Sequence, residues 1–346
     1  MIRRWLLLTV AALTLALLPS AGRAVDLNDQ LTPAAKLAID KALDFMAGQQ
    51  KSDGSFNGQL GSASGVVGAV SIAFMAAGHV PGEGPYGQVT SKATQYLLSC
   101  IQSNGLVFRP ESGGAPMYNH GLATLALAEI WGMTGDPRLR SAVQRAVDLI
   151  CATQNRKGGW RYQPKIADDD LSVTVMELMA LRAARDAGIA VPKEVIAAGI
   201  EYVKSCANAK RSGKDGGFGY TPGGESGMAR TGAGVTSLQV AGDYRSTEVQ
   251  EGIEYLMQCA PVGKTEEKKE FLWYGLYYAT VGIYQAQSIG TWGRSAWAQW
   301  YPAVVNFAVA QQKPTGEWPG SHGLYTTAMG VVILAIPLRY LPLYQR

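Results

Sequence analysis

Three consecutive acids, Asp168, Asp169 and Asp170, stand directly before an apolar stretch that begins at Leu171. Acids in such a place have two uses. A carboxylate can cap a helix by accepting its unpaired N–H groups, with Ser172 helping. A carboxyl kept neutral by desolvation can instead deliver a proton to a substrate. His120 and His322, two of only three histidines, precede other apolar stretches in the same way, and Arg230 and Tyr325 hold comparable places. Two imidazoles and a carboxylate could ligate a transition metal, but no local spacing supports that set, and no metal site is assigned. Trp273, Tyr274 and Tyr277 recur at helical spacing, where ring faces could stabilise a cation or simply pack in a core. Hydrolysis of a glycosidic bond would need two opposed carboxylates, whereas the acids near these starts come from one segment. No Gly-rich phosphate loop, nucleophile elbow, zinc-protease motif or CxxC pair is present, and no cofactor is implied.

The elements that must position these residues follow a repeat. Phe45, Tyr96, Val147, Tyr202, Tyr255 and Phe307 lie 51 to 55 residues apart, each near the end of an amphipathic helical stretch. A glycine turn carrying an apolar or aromatic residue follows five of them: Asp53-Gly54-Ser55-Phe56, Asn104-Gly105-Leu106-Val107-Phe108, Lys157-Gly158-Gly159-Trp160, Asp215-Gly216-Gly217-Phe218 and Thr315-Gly316-Glu317-Trp318. The pattern predicts amphipathic helices over 34–49, 89–100, 138–151, 193–206, 247–259 and 297–311. It predicts helices apolar on nearly every side over 65–77, 121–131, 171–187, 231–241, 271–286 and 325–336. A helix apolar all round is buried, and an amphipathic one faces solvent on one side. A period of this size signals a repeat architecture. Six outer helices around six inner ones give an all-α fold, an α/α toroid of six helical hairpins, whose closure removes the open ends of a solenoid.

Residues 1–24 read as a secretory signal peptide. Arg3 and Arg4 precede an apolar run from Trp5 to Leu18, and Gly22-Arg23-Ala24 offers a small-residue cleavage site. An uncleaved anchor is the alternative reading. Residues 25–346 then form a single toroid domain, and the expected location is the periplasm or the extracellular space. Without the signal, 28 basic residues face 27 acidic ones, so no charge excess points to nucleic acid. Contact with a membrane surface stays open, as does the oligomeric state. The segment 264–270 reads as a solvated charged loop. Cys100, Cys151, Cys206 and Cys259 each fall four residues after an anchor, where Gln49 and Gln311 stand in the end repeats. An even cysteine count in an exported chain invites disulfides, yet equivalent slots on neighbouring helices lie too far apart for them. Four buried thiols in one recurring contact are expected.

Gln49-x3-Asp53-Gly54-Ser55-Phe56 and Gln311-x3-Thr315-Gly316-Glu317-Trp318 resemble the Gln…Gly-x-Trp repeat of squalene and oxidosqualene cyclases. The same toroid is shared by protein prenyltransferase β-subunits and complement thioester domains. The stretches 117–129, 158–164 and 340–346 are similar to exported bacterial prenyltransferase/squalene-oxidase repeat proteins. The resemblance spans about residues 34 to 340 and implies a central cavity beside the starts of the inner helices. His120, Arg230, Trp273, Tyr274, Tyr277, His322 and Tyr325 would line it. Class II terpene cyclases protonate an alkene through an Asp-x-Asp-Asp motif. Ala167-Asp168-Asp169-Asp170 carries its last two acids, making Asp169 the proton donor and Asp170 its partner. Ala167 stands where the first acid belongs. The prenyltransferase Asp-x-Cys zinc motif and the thioester Gly-Cys-Gly-Glu-Gln run are absent. The expected function is binding of an apolar or isoprenoid-like small molecule. The alternatives are a cyclase using Asp169 and, last, a polysaccharide-active α/α-barrel enzyme.

Overall fold

In the computed structural model, residues 31–57, 63–110, 115–259 and 271–345 are described. The signal segment and the 264–270 loop lie outside them. Twelve α-helices are formed among the described residues: α1 (Pro33–Gly48), α2 (Ser64–Ala76), α3 (Gly87–Ser99), α4 (Pro116–Thr134), α5 (Pro137–Thr153), α6 (Leu171–Asp186), α7 (Lys193–Ser205), α8 (Met228–Val240), α9 (Thr247–Gln258), α10 (Leu272–Ala286), α11 (Thr291–Gln311) and α12 (Leu324–Ala335). The even-numbered helices form the inner ring. Each packs on the next, and α12 returns to α2, so the ring closes. All thirteen residues of α2 are buried. By contrast, α9 buries only Val249, Gly252, Ile253 and Leu256, one stripe of an outer helix. Among the described residues no helix is long and apolar enough to cross a membrane.

The repeated turn is a clamp between hairpins. Gly158 has φ +94°, and a Cβ there would overlap the Ala198 carbonyl of α7. Only glycine fits both the left-handed backbone and that approach. Gln154 bridges the same place, its Nε2 donating to Gly158 O at 2.9 Å and to Val195 O at 2.9 Å. Gln50 makes the matching pair with Gly54 O and Val89 O. Gln312 donates to Gly316 O at 2.8 Å and to Ala38 O at 2.7 Å, joining the last turn to α1. The glutamines that hold the turns are thus Gln50 and Gln312, one residue beyond the Gln49 and Gln311 of the sequence motif.

The turn residue then drops between the rings. Phe56, Val107, Trp160, Phe218 and Trp318 are all buried, so Val107 rather than Phe108 fills the second slot most completely. The indoles also anchor to outer helices: Trp160 Nε1 donates to Ile150 O at 2.8 Å and Trp318 Nε1 to Ala308 O. None of the four cysteines forms a disulfide; Cys100 and Cys206 are buried and the other two half-buried.

Candidate functional site

The two acids of the cyclase-like motif point to different places. Asp170 N pairs with Trp160 O in an isolated antiparallel bridge, so its neighbour Asp169 projects to the opposite side. Asp169 Oδ2 accepts from Asn155 Nδ2 at 2.7 Å and lies 3.5 Å from Lys157 Nζ. Its Cβ sits over Gly159 beside Tyr202 of the outer helix α7. Asp169 and Asp170, expected as proton donor and partner, therefore do not face the same space: Asp169 serves the turn and faces the outer wall.

Asp170 is the residue that faces the mouth. Its Oδ1 accepts from Val173 N at 2.9 Å and caps α6. Its Oδ2 is buried without a hydrogen bond, 3.6 Å from Arg161 Nε. Burial pushes this carboxyl above the usual carboxylate range, while the Val173 N–H, the Tyr220 hydroxyl and Arg161 oppose the rise. Tyrosines gather around it. Tyr118 of α4, Tyr220 and Tyr274 of α10 all lie within its electrostatic reach. The Tyr162 and Tyr220 hydroxyls meet at 2.5 Å, and the Tyr118 and Tyr162 rings at 5.8 Å. Arg161 lies over the Tyr162 ring. Tyr325 of α12 neighbours Tyr274, with His322 against its ring.

Helical periodicity carries this set down the axis. Leu122, Leu125 and Glu129 follow Tyr118 at four, seven and eleven residues, and Met176 follows Ser172 at four, placing each stripe on the axis-facing side. The far end is filled by the chain's own C-terminus. A short 3-10 turn, Pro342–Tyr344, packs on α4 and α6. Leu343 N donates to Glu129 Oε1 at 3.2 Å, and the Tyr344 hydroxyl meets that of Tyr277 at 3.0 Å.

Several expected cavity residues are used elsewhere. His120 lies inside α4, because Pro116 starts that helix five residues earlier than the apolar pattern suggests. Its Nδ1 accepts from Val107 N at 3.0 Å, so Nε2 carries the proton and donates to Ala146 O at 3.1 Å. Thr174, Thr231 and Thr327 accept the same turn N–H in other repeats, from Trp160, Phe218 and Trp318. His120 is therefore a long-reach version of a structural threonine, with no ring nitrogen left for a ligand. Trp273 packs against Phe307 and Trp318 between the rings and donates to Pro319 O. Tyr277 faces the axis but is occupied by Tyr344. Arg230 donates back to Ser226 O at 3.1 Å, one turn before it. Tyr274, His322 and Tyr325 remain at the mouth.

Sequence reasoning missed Tyr118, Arg161, Tyr162, Ser172 and Tyr220 as mouth residues, and two buried carboxyls. Glu129 and Glu177 sit mid-helix among apolar neighbours, a pattern visible in the sequence. Glu177 of α6 is fully buried beside Gly121, without a hydrogen bond to either oxygen, and burial pushes its carboxyl well up. Among the described residues no three His, Cys, Asp or Glu side chains come together to hold a metal ion.

With that geometry in place, the family is decided by residues 86–264, which match the model of the prenyltransferase alpha-alpha toroid domain. The chain belongs to this family. No curated protein sequence matches it. Solved structures share the toroid across most of the chain. An alpha-1,6-mannanase from a Salegentibacter species superposes with a TM-score of 0.68 at 8% identity, over 89% of this chain and 99% of that one. Cellobiose 2-epimerase from Spirochaeta thermophila gives 0.65 at 15% identity, over 92% and 99%. A type II terpene cyclase from Scytonema gives 0.57 at 14%, over 90% and 100%. These likenesses establish the ring; what such a ring does is set by its site.

Proposed function

We propose that this family member is exported and binds an amphipathic, isoprenoid-like small molecule at the tyrosine-lined mouth of its ring. The observation that carries this reading is the buried Asp170 Oδ2, left without a hydrogen bond among tyrosine side chains. It stands directly above the apolar Leu122 and Met176 levels of the axis. A hydroxyl or other donor on the ligand would give that oxygen a direct hydrogen bond in place of its 3.6 Å contact with Arg161, a gain of about 1 kcal/mol. The apolar part of the ligand would lie toward Leu122 and Met176. Export rests on Arg3, Arg4 and the apolar run that follows them.

Binding is favoured over turnover because Asp170 spends its other oxygen on the α6 cap. A second reading draws on the same burial. A carboxyl held above its ordinary range is suited to donate a proton, so a cyclase-like role would fall to Asp170 rather than Asp169. One series of measurements separates these readings. Lipids co-purifying with the exported protein are identified by mass spectrometry. Binding of farnesol, squalene and an α-1,6-manno-oligosaccharide is then compared. The expected result is saturable binding of farnesol, weaker binding of squalene, and at least a tenfold loss of farnesol affinity in Asp170→Asn. Conversion of squalene, abolished in Asp170→Asn, would favour the cyclase reading. Preference for the saccharide would overturn the isoprenoid one.

A further inference from the structure

A cavity opens at the end of the ring opposite Asp170 and its tyrosines. Its volume is about 330 Å³, and its walls include Glu129 and Trp131 of α4, Ala183 and Asp186 of α6, and Pro342 of the C-terminal turn. Leu343 N occupies Glu129 Oε1, whereas Oε2 is buried and has no hydrogen-bond partner. Glu129 itself is only 2% exposed. The Trp131 indole spans the gap between the two helices, its Nε1 donating to Ala187 O at 3.0 Å. The C-terminal ends of α4 and α6 meet here, and helix C-termini carry partial negative charge. Among the described residues no lysine or arginine lines the cavity.

We propose that this cavity is a binding site for a small organic cation, a primary ammonium group, held by Glu129 with Asp186 and the Trp131 ring beside it. An ammonium supplies the donor that Oε2 lacks and the positive charge that Glu129 and two helix ends favour, Asp186 being already paired with Arg182. An indole edge or face adds apolar contact for the carbon attached to nitrogen. The charged groups around Glu129 are few. Asp186 of α6 is bound to Arg182 Nε at 2.6 Å, and the neighbouring phenols are Tyr277 of α10 and Tyr344 of the C-terminal turn. Burial pushes the Glu129 carboxyl up to about 8. An ammonium beside it stabilises the carboxylate, so binding near neutrality releases a proton to solvent.

The test is calorimetric titration of the whole exported chain with ethylammonium chloride at pH 6.5 and 8.5, in two buffers of different ionisation enthalpy. Affinity is expected to rise at least tenfold between the two pH values, with close to one proton released per ligand at the lower pH. Glu129→Gln keeps the shape of the neutral side chain and should fold. It is expected to lose the pH dependence and at least tenfold in affinity at pH 8.5. Ala183→Leu, which fills the cavity from α6, should also abolish binding, whereas Asp170→Asn at the mouth should leave it unchanged. Absence of saturable binding, or equal affinity in Glu129→Gln with its far-ultraviolet spectrum intact, would overturn the site. Loss in Asp170→Asn alone would relocate the cation to the mouth.

Discussion

At the scale of single residues, the same side-chain types serve opposite ends depending on their neighbours. Asp169 and Asp170 are adjacent in sequence, yet one holds a turn against the outer wall and the other caps an inner helix at the mouth. His120 illustrates the energetic consequence. Burial pushes its imidazole down to about 4, and both ring nitrogens are fixed by backbone groups. Between pH 4 and 6.5 the unfolded chain binds the proton and the folded one does not. Stability therefore rises with pH across that window and is lost as pH falls through it, by about 3 kcal/mol at full extent. His120→Asn can keep the Val107 bond through its amide oxygen but not the Ala146 one. It should be about 1 kcal/mol less stable at pH 7, with a flatter acid limb in urea unfolding followed from pH 4.5 to 7. An unchanged slope would mean that His120 is not the titrating group.

At the scale of elements, the sequence made the helices legible because burial on all sides and burial on one side leave different patterns. α2 is buried throughout and α12 at every residue but Tyr325, while α5 and α9 carry a single stripe. The boundaries were less legible where a proline shifted the start, as at Pro116. The exact clamp was also displaced by one residue, because Gln49 and Gln50 differ only in where each side chain points. Ring closure rests on this detail. Gln312 links the last turn to Ala38 of α1, across nearly the whole chain. Gln312→Ala removes hydrogen bonds to two carbonyls and should cost about 2 kcal/mol. Because the loss falls at the seam, hydrogen exchange should quicken in α1 before it quickens in α7. A uniform change along the ring would count against a seam role.

At the scale of the whole molecule, the C-terminus is part of the barrel. Leu341, Leu343 and Tyr344 are buried, and they close the axis opposite the mouth. Ending the chain after Arg339 removes three buried side chains, each worth about 1.5–3 kcal/mol, and strips Glu129 of its Leu343 partner. The expected drop in Tm is about 10 °C or more, given roughly 2–4 °C per kcal/mol for large domains. A truncated chain melting with the full-length one would show that the axis does not need its plug.

The sequence by itself determined the number and order of the helices, their division into two rings and the turns between them. Those properties are periodic, and a repeating pattern of burial is written locally in each segment. It also marked the acids, tyrosines and histidines as unusual at their places. Only the tertiary structure decided which of these share a site. Tyr118, Asp170, Tyr220 and Tyr274 come from four separate segments and meet because the ring brings the starts of its inner helices together. His120 and Trp273 leave that set because a rotation of about 100° per residue carries a side chain from the axis to the outer wall. That choice is made by packing between helices, which no single segment encodes.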